Sequence, residues 1–551
     1  MWGSILAPVI LALGARRGDQ FATAAKSLRR VQEKLLFQRL RRNADSDFGR
    51  EHRFDEIHSV SDFQRNVGLS DYEAMLPYIR RVLEGDEGAL FGPQEHVKLF
   101  ALTSGTTRRS KHLPVTERFI REYRLGWWVW GHHAEKDHPR AFDRHVLQLT
   151  SPACEHRTAL GLPCGSVSGL IAQMQPSFVR RMYVFPSAAS HIKDGRTKYY
   201  VAMRFAATRD LSMISTANPS TILSAVRVGM EDHEALIRDV RDGTISFPVE
   251  PDREIARALR ERVRPDPEGA RRLEEILART GALAPREMWP NLGLVACWKG
   301  GTLQNYVAQL EGCFPGVPVR DIGLLASEGR MTIPLSARGS AGVLDLTSHF
   351  YEFIPIEEAD ADAPRTLLAQ ELEVGRSYVL VLTTSGGLYR YNINDVVRVV
   401  DRYHSAPVLE FLNKGTGFSS ITGEKLSEFQ AVCAVRQACG DGRYPIATFT
   451  MFPRWGDPPH YSILVEEGAL AGVSEEAFVE RLDKVLCELN MEYESKRHTG
   501  RLGPVTLDRV ADGTWDRYRS WKIENNRGRL EQYKHVYLEQ DFEYRKKLDG
   551  L

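Results

Sequence analysis

The sequence predicts an α/β protein of two unequal domains, a large N-terminal one and a small C-terminal one. Three observations carry this. The chain has 551 residues, more than one hydrophobic core usually organises. Helical and strand-like apolar patterns interleave along it. Finally, the run GTGFSSITG at 415–423 puts three glycines into nine residues. Such a break in character predicts the domain boundary, with residues 1–422 on one side and 423–551 on the other.

Composition is that of a globular protein, 42% hydrophobic and 26% charged with a net charge of +1. No long block of one sign occurs, which argues against the clustered basic footprint of a nucleic-acid binder. The seven cysteines, Cys154, Cys164, Cys297, Cys313, Cys433, Cys439 and Cys487, form no CxxC pair. An odd, scattered set predicts the reduced thiols of a cytoplasmic protein and argues against a disulfide framework or a zinc site. The N-terminus MWGSILAPVILALGARRGD lacks a basic leader and is too short to span a bilayer, so it reads as a packing helix, with peripheral membrane contact the alternative.

Apolar residues recur at helical spacing from Phe21 to Ala44, and DFGREHRFDEIHSVSDFQ beyond them has the turn and N-cap residues that join short helices. A further helix is expected from Glu117 to His133, with Trp127, Trp128 and Trp130 on it. Those tryptophans and Tyr123 either pack or line a pocket for an aromatic acid. A charged helical pair follows from Asp252 to Thr280, interrupted by RPDPEG. Between Val343 and Val400, VLDLTSHFYEFIPIEE and YVLVLTTSGGLYRYNINDVVRVV alternate as strands, the second as a β-hairpin. GSVSG at 165–169 has Val167 where a nucleophile elbow needs serine, and His132–His133 lacks a third ligand at metal spacing. Both read as structural.

Four segments carry chemistry. LTSGTTRRSKHLPVT, residues 102–116, combines glycine, small hydroxyl residues and cations. Such a loop can wrap a polyphosphate through N–H and O–H groups, although TSGTTRRSK does not match the spacing of the nucleotide-kinase loop. A solvated Ser/Thr turn is the open alternative. GLLASEGR ends a strand-like run in Ser-Glu-Gly, and a carboxylate there can hold Mg²⁺ through oxygen. In YRYNINDVVRV, Asp395 interrupts an alternating strand, either as an acceptor for ribose hydroxyls or as a plain bulge carboxylate. ITGEKLSE is a glycine hinge with Lys425 just beyond it.

In this order and spacing, TSGTT, SEG, YRYNIND and GEK resemble the auxin-responsive Gretchen Hagen family of acyl-acid amido synthetases, a branch of the adenylate-forming superfamily. RNADSDFGREHRFDEIHSVSDFQ, DYEAMLPYIRRVLEGDEGALF, WKGGTLQNYVAQLEGCFPGVPVRDIGLLASEG and HFYEFIP are similar to family segments too, so the resemblance spans essentially the whole chain. It implies the adenylate-forming architecture: a large N-terminal domain of mixed sheets with a barrel-like subdomain, and a mobile C-terminal lid. The implied reaction turns a small carboxylic acid into an acyl-adenylate with Mg-ATP and transfers the acyl group to an amino acid. A monomer without nucleic-acid or membrane partners is expected.

The resemblance also implies roles. Thr103, Ser104, Thr106 and Thr107 would contact the ATP phosphates, Gly105 would let the backbone approach, and Lys111 ends the motif. Ser327 would sit by the nucleotide and Glu328 would coordinate Mg²⁺, while Asp395 would hold the ribose. Lys425 matches the hinge lysine that reaches the α-phosphate, and Lys534 in LEQYKHVYL resembles a second, C-terminal lysine. Three departures stand out: Arg108 where the family commonly has glycine, Asn394 before Asp395, and His535 and Val536 after Lys534. Asn394 is mild, because asparagine tolerates positive φ. A ligase that acylates a thiol, or a non-catalytic nucleotide sensor, are the competing readings.

Overall fold

The computed structural model describes residues 3–103, 111–175, 177–300, 304–359, 361–415, 418–419, 421–422, 424, 426–440, 446–470, 472, 474–498, 501–525 and 533–549. The chain forms two compact units, residues 1–300 with 307–411 and residues 301–306 with 412–551.

In the first unit the N-terminal apolar run is helix α1 (Gly3–Ala25). Next comes α2 (Leu28–Arg42), which buries Leu28, Gln32, Leu36, Arg39 and Leu40 as one helical stripe. The cap-rich stretch beyond it starts three more helices. Ser46 caps α3 (Asp47–Glu51), Ser59 and Asp62 form a capping box on α4 (Val60–Asn66), and Asp71 caps α5 (Tyr72–Leu83). The tryptophan-rich segment is α6 (Glu117–Asp137), capped by Thr116. Helix α1 packs on α6. At Gly18 an added Cβ would lie 2.7 Å from His132 Cδ2, so the absent side chain is what permits the approach. No helix among the described residues is long and apolar enough to cross a membrane.

Strands β1 (Val97–Thr103) and β2 (Lys111–Thr116) form an antiparallel hairpin in which Thr103 stands opposite Lys111. β3 (His145–Leu149) opens a second sheet, while β4 (His156–Arg157) and β5 (Pro163–Gly165) join the first, whose order is β2–β1–β5–β4. β6 (Leu211–Thr216), β7 (Leu294–Cys297) and β8 (Val319–Asp321) complete the parallel sheet β3–β6–β7–β8. Its β7 is wholly buried, as an inner parallel strand should be.

A third sheet has the order β12–β11–β13–β14–β15–β10–β9. Its strands are β9 (Thr332–Ile333), β10 (Gly342–Leu344), β11 (Phe350–Pro355), β12 (Leu367–Leu368), β13 (Ser377–Thr383), β14 (Tyr391–Tyr403) and β15 (Ala406–Lys414). β13 and β14 are the expected hairpin, with Ser377 opposite Arg398 and Leu382 opposite Tyr391. The first and third sheets and the N-terminal helices share a core that includes Leu36, Phe63, Leu99, Phe119, Leu344 and Leu380. Two helices on the charged segment, Arg253–Arg260 and Pro267–Thr280, match the pair read from sequence.

The second unit is α+β. It contains β16 (Phe418–Ser419), β17 (Leu426–Ser427), β18 (Thr450–Arg454), β19 (His460–Glu466) and β20 (Thr506–Val510). In the sheet β18–β19–β20 the first pair is antiparallel and the second parallel. Helices Glu428–Ala438 and Glu475–Leu489 pack together over a separate core containing Ala431, Val435, Met451, Ile463, Leu482 and Leu486.

Candidate active site

Ser327 and Glu328 are the central residues of a tight turn closed by their neighbours. Ala326 N–H donates to Gly329 O at 2.9 Å, Gly329 N–H donates back to Ala326 O at 3.3 Å, and Leu325 bridges Arg330. The two side chains therefore project from one backbone apex, with Ser327 half-buried and Glu328 buried. Glycines frame the turn. A Cβ on Gly329 would lie 2.3 Å from His349 Nε2, and Gly323, at φ +92°, has no room for one beside Thr332 O. Arg330 anchors the outgoing arm: its Nη2 donates to Ile322 O at 2.6 Å and its guanidinium lies 4.6 Å from the Trp127 ring centroid. Gly126 on α6 makes space for it, since a Cβ there would come 2.4 Å from Arg330 Cδ. Trp130 donates from Nε1 to Asp321 O at 2.8 Å, and Tyr123 is buried. Trp127 and Trp130 thus pack next to the turn through Arg330 and the Asp321 carbonyl.

Asp395 lies in a bulge of β14. The register steps from Val379–Val396 to Val381–Asn392, so Ile393, Asn394 and Asp395 together span the place of one partner residue. Asn394 takes the left-handed conformation, φ 63°, and its N–H donates to Asn392 Oδ1 at 2.8 Å. The family departure at this position is accordingly a residue that accepts the required backbone. The bulge leaves Asn394 exposed and turns the Asp395 side chain inward, where it is buried.

Tyr391 lies within electrostatic reach of both carboxylates. Burial raises its phenol well above the ordinary value, and the charges of Glu328, Asp71 and Asp395 raise it further. Tyr72 is near enough to act on it as well. Its hydroxyl accepts from His112 N–H at 3.0 Å, and Lys111 Nζ lies 5.0 Å over its ring. Lys111 is thereby held at the loop end of the hairpin, over the Tyr72 ring. The loop residues Ser104, Gly105, Thr106 and Thr107, with Arg108, lie outside the described residues. Thr103 is placed as the last residue of β1.

Sequence reasoning missed what clamps this cluster. Ser70 N–H donates to Arg390 O at 2.9 Å, Asn392 N–H donates to Ser70 O at 2.7 Å, and Ser70 Oγ donates to Tyr389 O at 2.7 Å. This splint carries Asp71 and Tyr72 to Tyr391. Arg390, at φ 45°, is fixed by Glu352 through two hydrogen bonds of 3.0 Å and by the carbonyls of Gln64 and Val67 at 3.0 and 2.8 Å. The arginine inside YRY was the available signal.

In the second unit Lys425 lies outside the described residues, but its neighbour Glu424 is fully buried. The Glu424 carboxylate accepts from Ile421 N–H (2.7 Å), Thr422 N–H (2.9 Å), Thr422 Oγ (2.7 Å) and Tyr461 OH (2.8 Å). These four donors tie Ile421, Thr422 and Tyr461 to one carboxylate. Lys534 is exposed on a segment held alongside β18: Met451 N–H donates to Tyr537 O and Glu539 N–H to Met451 O, both at 2.8 Å. The departure at His535 has a structural reason. Its ring is buried and bonded through Nε2 to Phe449 O at 2.9 Å and Thr450 Oγ at 3.1 Å.

This architecture is the fold of solved acyl acid amido synthetase and acyl-CoA ligase structures. It superposes with a TM-score of 0.82 on AtGH3.15 acyl acid amido synthetase in complex with 2,4-DB, at 18% identity over 98% of this chain and 96% of that one. On 2-hydroxyisobutyryl-CoA ligase in its postadenylation state the TM-score is 0.51, at 12% identity over 95% and 91%. Three family profiles then match in order: the GH3 family N-terminal domain at residues 17–319, the central domain at 342–414 and the C-terminal domain at 429–542. The chain belongs to the GH3 family. Among its curated relatives, indole-3-acetic acid-amido synthetase GH3.8 of Oryza sativa subsp. indica is 26% identical over 533 residues, 92% of this chain and 87% of that protein.

Proposed function

We propose that this protein is an ATP-dependent acyl-acid amido synthetase, converting a small carboxylic acid to its adenylate and passing the acyl group to the amine of an amino acid. The observation that carries the reading is that Glu328, from the Ser-Glu-Gly turn, and Asp395, from the β14 bulge, both act electrostatically on the buried Tyr391, as does Tyr72, over whose ring Lys111 lies. The amido synthetases among its relatives support the amine acceptor.

The chemistry follows from need. A carboxylate is a poor acyl donor because its leaving group is oxide. Joined to AMP, the same acyl group has a good one, and pyrophosphate is released in the first half-reaction. Glu328 fits a magnesium ligand, because Mg²⁺ takes oxygen donors and commonly uses one or two carboxylates with phosphate and water filling the rest. Bound there, the ion would supply positive charge against the triphosphate oxygens. Thr103, Ser104, Gly105, Thr106 and Thr107 cradle the phosphates, with Lys111 at the end of the loop and Ser327 beside the nucleotide. Asp395 accepts the ribose hydroxyls. Lys425 and Lys534 stabilise the negative charge that grows on the α-phosphate and pyrophosphate. Residues from 423 onward act as the lid that keeps water from the adenylate. That none of the seven cysteines is joined in a disulfide supports a reducing, cytoplasmic setting, and the working form in this reading is a monomer.

The test offers the full chain Mg-ATP with mixed carboxylic acids, amino acids and coenzyme A. Acid-dependent pyrophosphate release and an amide product by mass spectrometry are expected. Acyl-CoA as the sole product, or no acid-dependent release across a broad panel, would overturn the reading.

A further inference from the structure

We propose that the first sheet carries a second site, for a thiophilic divalent metal of the zinc type, made by His112 on β2, His156 on β4 and Cys164 on β5. Strand register puts these residues together. Cys164 stands opposite both Phe100 of β1 and His156 of β4, while His112 stands opposite Leu102. Cross-strand partners share a face, and so do residues two apart on one strand. His112, Phe100, Cys164 and His156 therefore all project to the same side of the sheet. The two imidazoles lean in over the short cysteine from either flank, with ring centroids 5.8 Å apart at 76°. One ligand atom from each of the three lies within 4.8 Å of the others.

The donor set selects the ion. Two imidazoles and a thiolate suit zinc or its cobalt surrogate and do not suit magnesium or calcium, which take oxygen. With Zn–N about 2.0–2.1 Å and Zn–S about 2.3 Å, ligand atoms in a tetrahedral site lie roughly 3.3–3.8 Å apart. Closing the present cluster takes roughly an ångström of side-chain adjustment. Cys164 is buried, His112 half-buried and His156 exposed, so an ion enters from the His156 side and solvent supplies the fourth ligand. Burial pushes the Cys164 thiol up to about 11, so binding forms the metal–sulfur bond, breaks the S–H bond and sends that proton to solvent. The bound ion would tie β2 to β4 and β5 across β1. Because His112 directly follows Lys111, the clamp would hold the outgoing strand of the phosphate-loop hairpin. The site stands apart from the proposed ligase reaction and is tested without it.

Cobalt(II) titration of the full-length, metal-stripped protein reads the site directly. One equivalent is expected to give a thiolate-to-cobalt charge-transfer band and the intense visible bands of a four-coordinate ion, displaced by one equivalent of zinc. Between pH 7 and 8 the affinity is expected to rise about tenfold, for the one proton released. His156→Ala, at an exposed position where folding is not at stake, is expected to weaken binding at least tenfold. Cys164→Ser should abolish the charge-transfer band, and Cys154→Ser should keep it. No band at stoichiometric cobalt, affinity unchanged in His156→Ala, or loss of the band in Cys154→Ser would overturn the assignment.

Discussion

Arg390 and Glu352 meet in a buried two-point ion pair, Nε to Oε2 and Nη2 to Oε1, each at 3.0 Å. The pair joins β11 to the start of β14, and the same guanidinium holds the Gln64 and Val67 carbonyls. It is the brace between the N-terminal helices and the strand that bears Asp395.

Breaking that brace from one side leaves a buried charge half-compensated, which costs about 3–5 kcal/mol. Glu352→Gln is expected to lower the urea midpoint of the N-terminal transition accordingly. Arg390→Lys should not rescue it, because an ammonium cannot reproduce the planar fork. Denaturation followed by circular dichroism checks both.

The bulge offers a sharper test of ligand placement. Asn394→Gly preserves the left-handed backbone and should leave both stability and nucleotide binding close to wild type, whereas Asn394→Val pays roughly 1–2 kcal/mol for the same conformation. Asp395→Ala, with the backbone intact, is expected to weaken ATP binding by about ten- to a hundredfold, the loss of hydrogen bonds to a charged acceptor. Calorimetric titration separates the two effects.

At the entry to the C-terminal unit, Lys425→Ala is expected to slow acid-dependent pyrophosphate release by about a hundred- to a thousandfold, the usual effect of removing one preorganised electrostatic partner. ATP affinity should change much less. Stopped-flow measurement of the first half-reaction decides this, and an unchanged rate removes the residue from the mechanism.

Acid should act on the second unit through His535. Burial lowers its pKa from 6.5 to about 4 in the folded protein, so the folded state keeps the imidazole neutral while the unfolded state takes up a proton below about pH 6.5. The unfolded chain binds more protons between pH 6.5 and 4, and stability falls as pH drops through that window, by about 3 kcal/mol in all. Above pH 6.5 this contribution is fully present. Urea midpoints of the C-terminal transition at pH 7 and pH 5 should differ more in the wild type than in His535→Gln.

The parts of this arrangement legible in the sequence were the local ones. The alternation through 378–400 disclosed the β13–β14 hairpin, and the Ser-Glu-Gly turn and the bulge before Asp395 left marks within a few residues of themselves. The N-terminal apolar run read as a packing helix, and α1 does pack on α6. The brace was not legible. Ser70 reaches Tyr389 across 319 positions, and no periodicity links Arg390 to Glu352. The cluster of His112, His156 and Cys164 escaped for a related reason: its members come from three strands, and strand register, unlike a CxxC spacing, cannot be counted along a chain. Glu424 was read only as part of a hinge motif, because a buried carboxylate with four donors looks in sequence like any exposed one.

The fit between Gly329 and the imidazole of His349 has a consequence for how variants of this enzyme should be interpreted. One extra methyl at 329, or at Gly126 where the Arg330 side chain passes, would shift the apex bearing Glu328 without ever meeting a substrate. A survey of natural or laboratory-evolved alleles would score such a change as a kinetic lesion, and a search confined to ligand contacts would look in the wrong place for its origin.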